Sequence, residues 1–549
     1  MTATAPRRSR TPCVAYFCME YGLHESFPIY AGGLGILAGD YIKAAHDLQL
    51  PLVAVGLLWE RGYCVQRIGA DGRPYEEYPA YDTGFLADTG VRVRVRVRGK
   101  EVPVRVWVTD RHGHVPLYLL EPLRREDRWI THRLYESGTD TRIAQEMLLG
   151  IGGLRALGWL GLDVRTYHFN EGHAVFAGIE RIAELMESGV QFAEAWGRVR
   201  RQTVFTTHTP VRAGNEVHAL ADLRRMGACL QLSDGEMRAI GGEPFSMTGA
   251  GLRLSRVANA VSRLHGETAR AMWKDVFGTS PIHSITNGVH VPTWQAPEVR
   301  DAGDDPARLW DAHVKLKAGL LAELQRRHGV AIEPSALLVG FARRAAGYKR
   351  SDLLLRDEAR LETLLSKKHV RVLFAGKAHP DDRGGHDIVA RLVAATRRHA
   401  GKILFLENYD MALGRQLTRG CDLWLNNPAR PLEACGTSGM KAALNGVLNA
   451  SVLDGWWDEA CLDGVNGFAI GKAEPGDDGR DLRALYDTLE KRVLPAWADR
   501  AKWSRMMAAS VAMAREGFSA QRMVRDYFER LYEWPTTASG TETGKAAAS

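Results

Sequence analysis

No property of this chain narrows its fold more than a rhythm: short apolar runs alternate with helical periods, and the runs end in polar residues. Val14-Ala-Tyr-Phe17 leads to Tyr30-Ala-Gly-Gly-Leu-Gly35 and then to an amphipathic segment from Ile36 to Leu50. Arg165–Asn170 runs into Glu171-Gly-His173 and a helical period from Ala174. Gln202–Thr207 ends in His208-Thr-Pro210, and Ile282–Thr286 ends in Asn287-Gly-Val-His290. A second series starts at Leu337–Phe341 and continues through Val370–Ala375, Ile403–Leu406 and Asp422–Asn426. Strand alternating with helix predicts parallel sheets. Polar carboxyl ends of such strands predict a ligand crevice along that edge. The expectation is an α/β protein with two doubly wound, Rossmann-like halves facing each other across a cleft.

At 549 residues the chain has room for two large α/β domains. The polar stretch and charged helix between 293 and 335 mark the junction. The expected organisation is a first domain over 1–295, a second over 296–485, C-terminal helices over 486–534 and a disordered tail over 535–549. Within the first domain, Val91–Val108 alternates valine with arginine before Gly99-Lys-Glu and continues as Val-Pro-Val-Arg-Val-Trp-Val after it, which predicts an inserted β-hairpin with one wet face. Near the end, Met523, Val524, Tyr527, Phe528, Leu531 and Tyr532 share a helical face behind Ser519 as N-cap.

Composition removes several alternatives. The net charge of +7 comes from interspersed residues, with no basic run interleaved with aromatics, so nucleic acid is not an expected partner. The small excess is compatible with anionic small substrates and equally with an ordinary solvated surface. Seven cysteines, odd in number, dispersed and without a C-x-x-C pair, argue against a disulfide framework and a zinc site, and no metal is expected. Met1–Pro12 lacks an apolar core and no run of 18 apolar residues exists, so neither signal peptide nor membrane span is expected. The expected location is cytoplasmic.

Three stretches suit phosphate. Glu433-Ala-Cys-Gly-Thr-Ser-Gly-Met-Lys441 is a glycine- and hydroxyl-rich loop entering a helix, with Thr437 or Ser438 as N-cap. Its Lys441 is suited to be a point charge for phosphate or an amine for a Schiff base. The second stretch, Phe341 to Arg350, sets four cations into eight positions after a strand, where they oppose a helix macrodipole unless an anion is present. The third is the glycine loop 32–35.

Taken in order, these blocks resemble the α-glucan phosphorylases, in particular the short prokaryotic branch of the glycogen/starch phosphorylase family. The resemblance runs from about Val14 to Gly471. It rests on Glu25-Ser-Phe-Pro-Ile-Tyr-Ala-Gly-Gly-Leu-Gly-Ile-Leu-Ala-Gly-Asp40, Asn170–His173, Thr207–Pro210, Asn287–His290, Tyr348-Lys-Arg350, Gly376-Lys-Ala-His379, Glu407-Asn-Tyr-Asp-Met411 and Glu433–Lys441. It implies the GT-B fold and retaining phosphorolysis of α-1,4-glucans to glucose 1-phosphate. The implied cofactor is pyridoxal 5′-phosphate, held by Lys441, whose phosphate exchanges a proton with inorganic phosphate. The implied partners are an α-glucan or oligosaccharide, inorganic phosphate and a sugar 1-phosphate; a homo-oligomer is compatible with the family.

By residue match, the resemblance gives the catalytic set as Lys441, Arg344, Lys349 and His208. Arg344 and Lys349 clamp the substrate phosphate. Arg343, Thr437 and Gly33 lie by the cofactor phosphate, with Tyr409 and Trp294 as walls of its pocket. Gly32, Gly33 and Gly35 offer amides to the phosphates. His208 and Asn287 take the 6-hydroxyl of the terminal sugar, and Glu433 with Cys435 and Gly436 takes its 3-hydroxyl. Cys435 stands where relatives usually have serine, Gly347 where threonine is expected, Ala345 where an aromatic is expected, and Asn215 where histidine is usual. The helical region that normally precedes the first strand is nearly absent. These departures bear on acceptor and chain length rather than on the phosphate apparatus. Two other readings start from the same residues. One is a GT-B transferase using a nucleotide-sugar donor and a non-glucan acceptor. The other is a silent carbohydrate-binding relative, which would be expected to have lost the cations or Lys441.

Overall fold

The computed structural model describes residues 13–210 and 214–534. The expectations for the first twelve residues and for the tail 535–549 lie outside that range, as do Val211–Ala213.

The rhythm of apolar runs becomes two separate sheets. The first contains β1 (Cys13–Phe17), β2 (Leu52–Leu57), β3 (Ala87–Val97), β4 (Lys100–Thr109), β5 (Leu117–Pro122), β6 (Val164–Asn170), β7 (Thr203–Thr206), β8 (Val257–Ala260) and β9 (Ile282–Ser284). Their spatial order is β9-β8-β7-β6-β1-β2-β5-β4-β3. Pairing is parallel from β9 to β5, and β4 and β3 add an antiparallel edge. β1 and β2 are buried along their whole length, which is why they are apolar runs without alternation. The edge hairpin keeps its alternation: Val93, Val95 and Val97 are buried while Arg92, Arg94 and Arg96 are exposed. Its arginines meet local carboxylates, Arg92 with Asp88 and Arg94 with Glu101, as a wet sheet face does.

The second sheet holds β10 (Leu337–Ala342), β11 (Val370–Ala375), β12 (Ile403–Leu406), β13 (Leu423–Asn426), β14 (Leu448–Val452) and β15 (Gly467–Ile470). Its order is β12-β11-β10-β13-β14-β15, and every pairing is parallel. The α/β expectation with parallel sheets therefore holds, and most strand limits fall within one residue of those expected.

Six helices frame the site: α1 (Gly33–Asp47), α2 (Pro306–His328), α3 (Met411–Gly420), α4 (Thr437–Ala443), α5 (Arg500–Gly517) and α6 (Ala520–Arg530). Two starts differ from expectation. α1 begins inside the glycine loop, three residues early. α4 is entered through Gly436, at φ +92°, with no side-chain cap from Thr437 or Ser438. Ser519 does cap α6, accepting from the Arg522 amide.

One apolar core surrounds the first sheet and takes in Met523, Val524, Tyr527 and Phe528 of α6. Two others cover the faces of the second sheet. A fourth joins residues from both halves, among them Ile36, Val289, Trp294, Met411, Met440 and Trp456. Among the described residues, no helix is long and apolar enough to cross a membrane.

Candidate active site

Each sheet has one place where the winding reverses. In the first, β1, β2 and β5 proceed to one side and β6 to β9 to the other, so the reversal lies between β1 and β6. In the second it lies between β10 and β13. Strand carboxyl ends at such reversals open a crevice that neighbouring connections do not cover. The residues singled out in the sequence lie on these ends: the glycine loop after β1, Asn170–His173 after β6, Arg343 and Arg344 after β10, and Asn427–Lys441 after β13.

The electrostatic centre is Glu433. Its Oε1 and Oε2 lie 2.6 Å and 2.5 Å from Lys349 Nζ. Arg343 Nη1 is 3.1 Å from Oε2. All three side chains are buried. Burial pushes the Glu433 carboxyl up, but the Lys349 and Arg343 charges overcome that and hold it below its ordinary value. Arg343 still has Nε buried without a hydrogen-bond partner, which is surplus donor capacity at an anion site. Arg344 is exposed, and among the described residues no hydrogen bond or ion pair engages its guanidinium. Lys349 sits on a short 3-10 turn, Gly347–Lys349. The next residue, Arg350, fastens this turn to the β13 exit by donating to the carbonyls of Asn427 (2.8 Å) and Pro428 (2.7 Å).

Lys441 differs from the other cations. It is buried in α4, and its Nζ lies 3.6 Å from the centroid of the Trp294 ring. No carboxylate pairs with it among the described residues. Burial lowers its amine from 10.5 to about 8, with Asp40 opposing that trend and Arg415 adding to it. The indole is itself fixed: Trp294 Nε1 lies 2.9 Å from both carboxylate oxygens of Asp40 in α1. A lysine whose amine gives up its proton more readily than usual and stands clear of counter-ions is suited to bond an aldehyde. Tyr409 is the second expected wall; burial raises its phenol to about 12, against the pull of Arg343.

On the sugar side, His208 Nε2 is 2.7 Å from Asn170 Oδ1, and the His208 amide donates to Glu171 Oε2 at 2.8 Å. Burial drops the His208 imidazole to about 3, so it is neutral. Asn287 is buried with Oδ1 unpartnered, an acceptor left for an incoming hydroxyl. Its backbone lies against the Cys435 thiol, which burial holds protonated. Gly436 and Thr437 follow at the mouth of α4. At the glycine loop, Gly32 and Gly33 face open space, with no atom within 4 Å of where a Cβ would stand.

The structure thus brings Arg343, Lys349 and Glu433 into one cluster, Lys441 onto Trp294, and Cys435 against Asn287. Sequence reasoning missed the carboxylates that hold these parts: Glu20, Asp40, Glu171 and Asp454. Asp454 accepts the Glu433 amide at 3.0 Å. Glu171 is held at φ +78°, an unusual conformation for a residue with a side chain. A further acidic group, Glu146, Glu216 and His218, is close enough to suggest a metal centre. Arg142 already fills that role: it bonds Glu216 at 2.8–2.9 Å and lies 3.7 Å from Glu146.

Known proteins of similar sequence exist. The family model described as carbohydrate phosphorylase matches residues 299–459. A maltodextrin phosphorylase from Thermococcus litoralis is 40% identical, over 94% of this chain and 70% of its own length. A glycogen phosphorylase from Mycobacterium tuberculosis is 41% identical over the same shares. Another, from Aquifex aeolicus, is 35% identical over 94% of this chain and 86% of its own length.

Proposed function

The chain belongs to the carbohydrate phosphorylase family, and on that footing we propose that it is a glycosyltransferase cleaving α-1,4-glucans with inorganic phosphate. The product is glucose 1-phosphate, formed with retention. We read the two sheets as the two Rossmann-like domains of a GT-B enzyme, over 1–295 and 296–485, with C-terminal helices over 486–534. The observation that carries the reading is the division of labour on one loop. Its first residue, Glu433, gathers two buried cations, and its last, Lys441, is kept clear of any carboxylate.

The residues around Lys441 fit pyridoxal phosphate. Lys441 would hold it covalently, Trp294 and Tyr409 would wall it, and Arg343, Thr437 and the Gly33 amide would meet its phosphate. When bound, it supplies a phosphate group able to exchange a proton with the substrate phosphate. The chain's own residues do the rest. Arg344 offers a guanidinium fork and Lys349 a compact charge to inorganic phosphate. Glu433 balances Lys349 and Arg343 before phosphate arrives and, with the Cys435–Gly436 segment, faces the 3-hydroxyl. Neutral His208 and the Asn287 amide receive the 6-hydroxyl. Crowding fixed cations in a buried site stabilises charge that develops during transfer without reorganisation.

Purified protein, given maltodextrin or glycogen with inorganic phosphate, is expected to release glucose 1-phosphate. Borohydride reduction and mass analysis should then find one pyridoxyl adduct, on Lys441. Lys441→Ala should lose both turnover and adduct while keeping its far-ultraviolet circular dichroism. Full activity in that variant, or transfer from a nucleotide sugar with no need for phosphate, sinks the reading.

A further inference from the structure

Glu20 lies three residues past β1, and the chemistry above gives it no part. Its side chain is almost fully enclosed, at 3% exposure. Oε2 accepts the amides of Ala31 at 2.6 Å and Gly32 at 3.2 Å, and Oε1 accepts the Tyr135 hydroxyl at 2.8 Å. The carboxylate reaches under the first turn of α1, where a Cβ on Gly35 would stand 2.5 Å from Oε2, so only glycine fits there. A buried anion has therefore been built into a loop that the proposed function gives to phosphate. The two ligands need not compete, because the loop amides are divided. Those of Ala31 and Gly32 turn to Glu20. Those of Gly33 and Leu34 have no partner among the described residues, and the space beside Gly32 and Gly33 is open.

We propose that Glu20 is a positioning residue for phosphate: by holding the Ala31 and Gly32 amides it fixes the start of α1, so that the Gly33 and Leu34 amides face the anion. The inference rests on the phosphorylase reading for the identity of the anion. Three observations favour a positioning role over simple burial of an acid. Every hydrogen bond of the carboxylate goes to the loop or to Tyr135. The loop has given up a side chain at Gly35 to admit it. Finally, α1 starts without a side-chain cap, so its orientation depends on what holds the loop from behind. Tyr135 extends the support toward the other half, since Ser137, two residues on, donates to Asp381 Oδ2 at 2.5 Å.

The test separates phosphate from glucan. In Glu20→Gln the side chain keeps its shape, but one acceptor becomes a donor facing amides. With charge-assisted bonds contributing about 1.5–3 kcal/mol, KM for phosphate should rise about 10- to 100-fold, while KM for glucan should stay within about 3-fold. Tyr135→Phe removes a single hydroxyl and should raise KM for phosphate about 2- to 5-fold by the same reasoning; it also serves if Glu20→Gln does not fold. Equal rises in both KM values, or a lower melting temperature with KM for phosphate unchanged, overturn the proposal. A wild-type protein without phosphorolysis would overturn the phosphorylase reading instead. Calorimetric titration with inorganic phosphate would then decide Glu20: binding lost in Glu20→Gln upholds it, and equal or absent binding in both proteins rejects it.

Discussion

Asp454 shows at the scale of one residue how the site is held. Its carboxylate accepts the amides of Glu433 and Gly455, yet burial outweighs both bonds and lifts it to about 7. Because its folded value lies above the ordinary aspartate range, the stability it contributes is fully present below about pH 4. That stability is lost as pH rises through 7. An asparagine keeps the acceptor for the Glu433 amide and does not titrate. In Asp454→Asn, the drop in unfolding free energy between pH 5 and pH 8 should therefore shrink by about 1–3 kcal/mol, read from urea denaturation at the two pH values. An identical drop in both proteins would refute the assignment. Asp454 also shows where sequence reading stops. Lys441, Arg343, Lys349 and Glu433 are legible because their types crowd into short motifs at strand ends. Asp454, Glu20 and Asp40 are not, because each acts through an amide or an indole whose proximity exists only after folding.

At the scale of elements, most strands were legible, and so was the Ser519 start of α6, whereas the starts of α1 and α4 were not. β12 falls on the expected residues because a strand buried on both faces leaves a continuous apolar run, and β11 does so with only the half-buried Arg371 interrupting its run. The start of α4 depends instead on one backbone angle. The sequence offers Thr437 and Ser438 as caps, but Gly436 takes the left-handed conformation, and the chain turns there without a side-chain cap. A Cβ at 436 would meet nothing closer than Glu433 Cγ at 3.4 Å, an ordinary contact. The cost of Gly436→Ala is thus conformational, about 1–2 kcal/mol for one left-handed alanine. Since Glu433 and Cys435 stand immediately before the turn, KM for glucan should rise as well. Equilibrium denaturation with glucan-dependent kinetics checks both parts. An unchanged stability would mean that the turn relaxes to another conformation at no cost.

The two halves are joined through the last helix among the described residues, and this was the least legible feature, since periodicity gives the apolar face of α6 but not its destination. The segment before it pairs across the molecule: the Val289 amide donates to Phe518 and the Ala520 amide to Val289. α6 then packs into the core of the first sheet. Tyr527 reaches Asn259 at 2.7 Å. Just beyond the helix, the Tyr532 hydroxyl lies 2.6 Å from both Tyr41 and His168 Nδ1. Since α5 packs with the core of the second sheet, the α5–α6 segment fastens one half to the other. Tyr532→Phe leaves the ring in place but strips a partner from a fully buried histidine, a loss of about 1–3 kcal/mol. If the two halves unfold as one unit, that local loss should lower a single transition, by about 1–3 °C for a chain of this size. Scanning calorimetry distinguishes this from the alternative. A wild-type trace with two transitions, only one of which moves in Tyr532→Phe, would mean that α6 belongs to the first half alone and that the halves are stabilised separately.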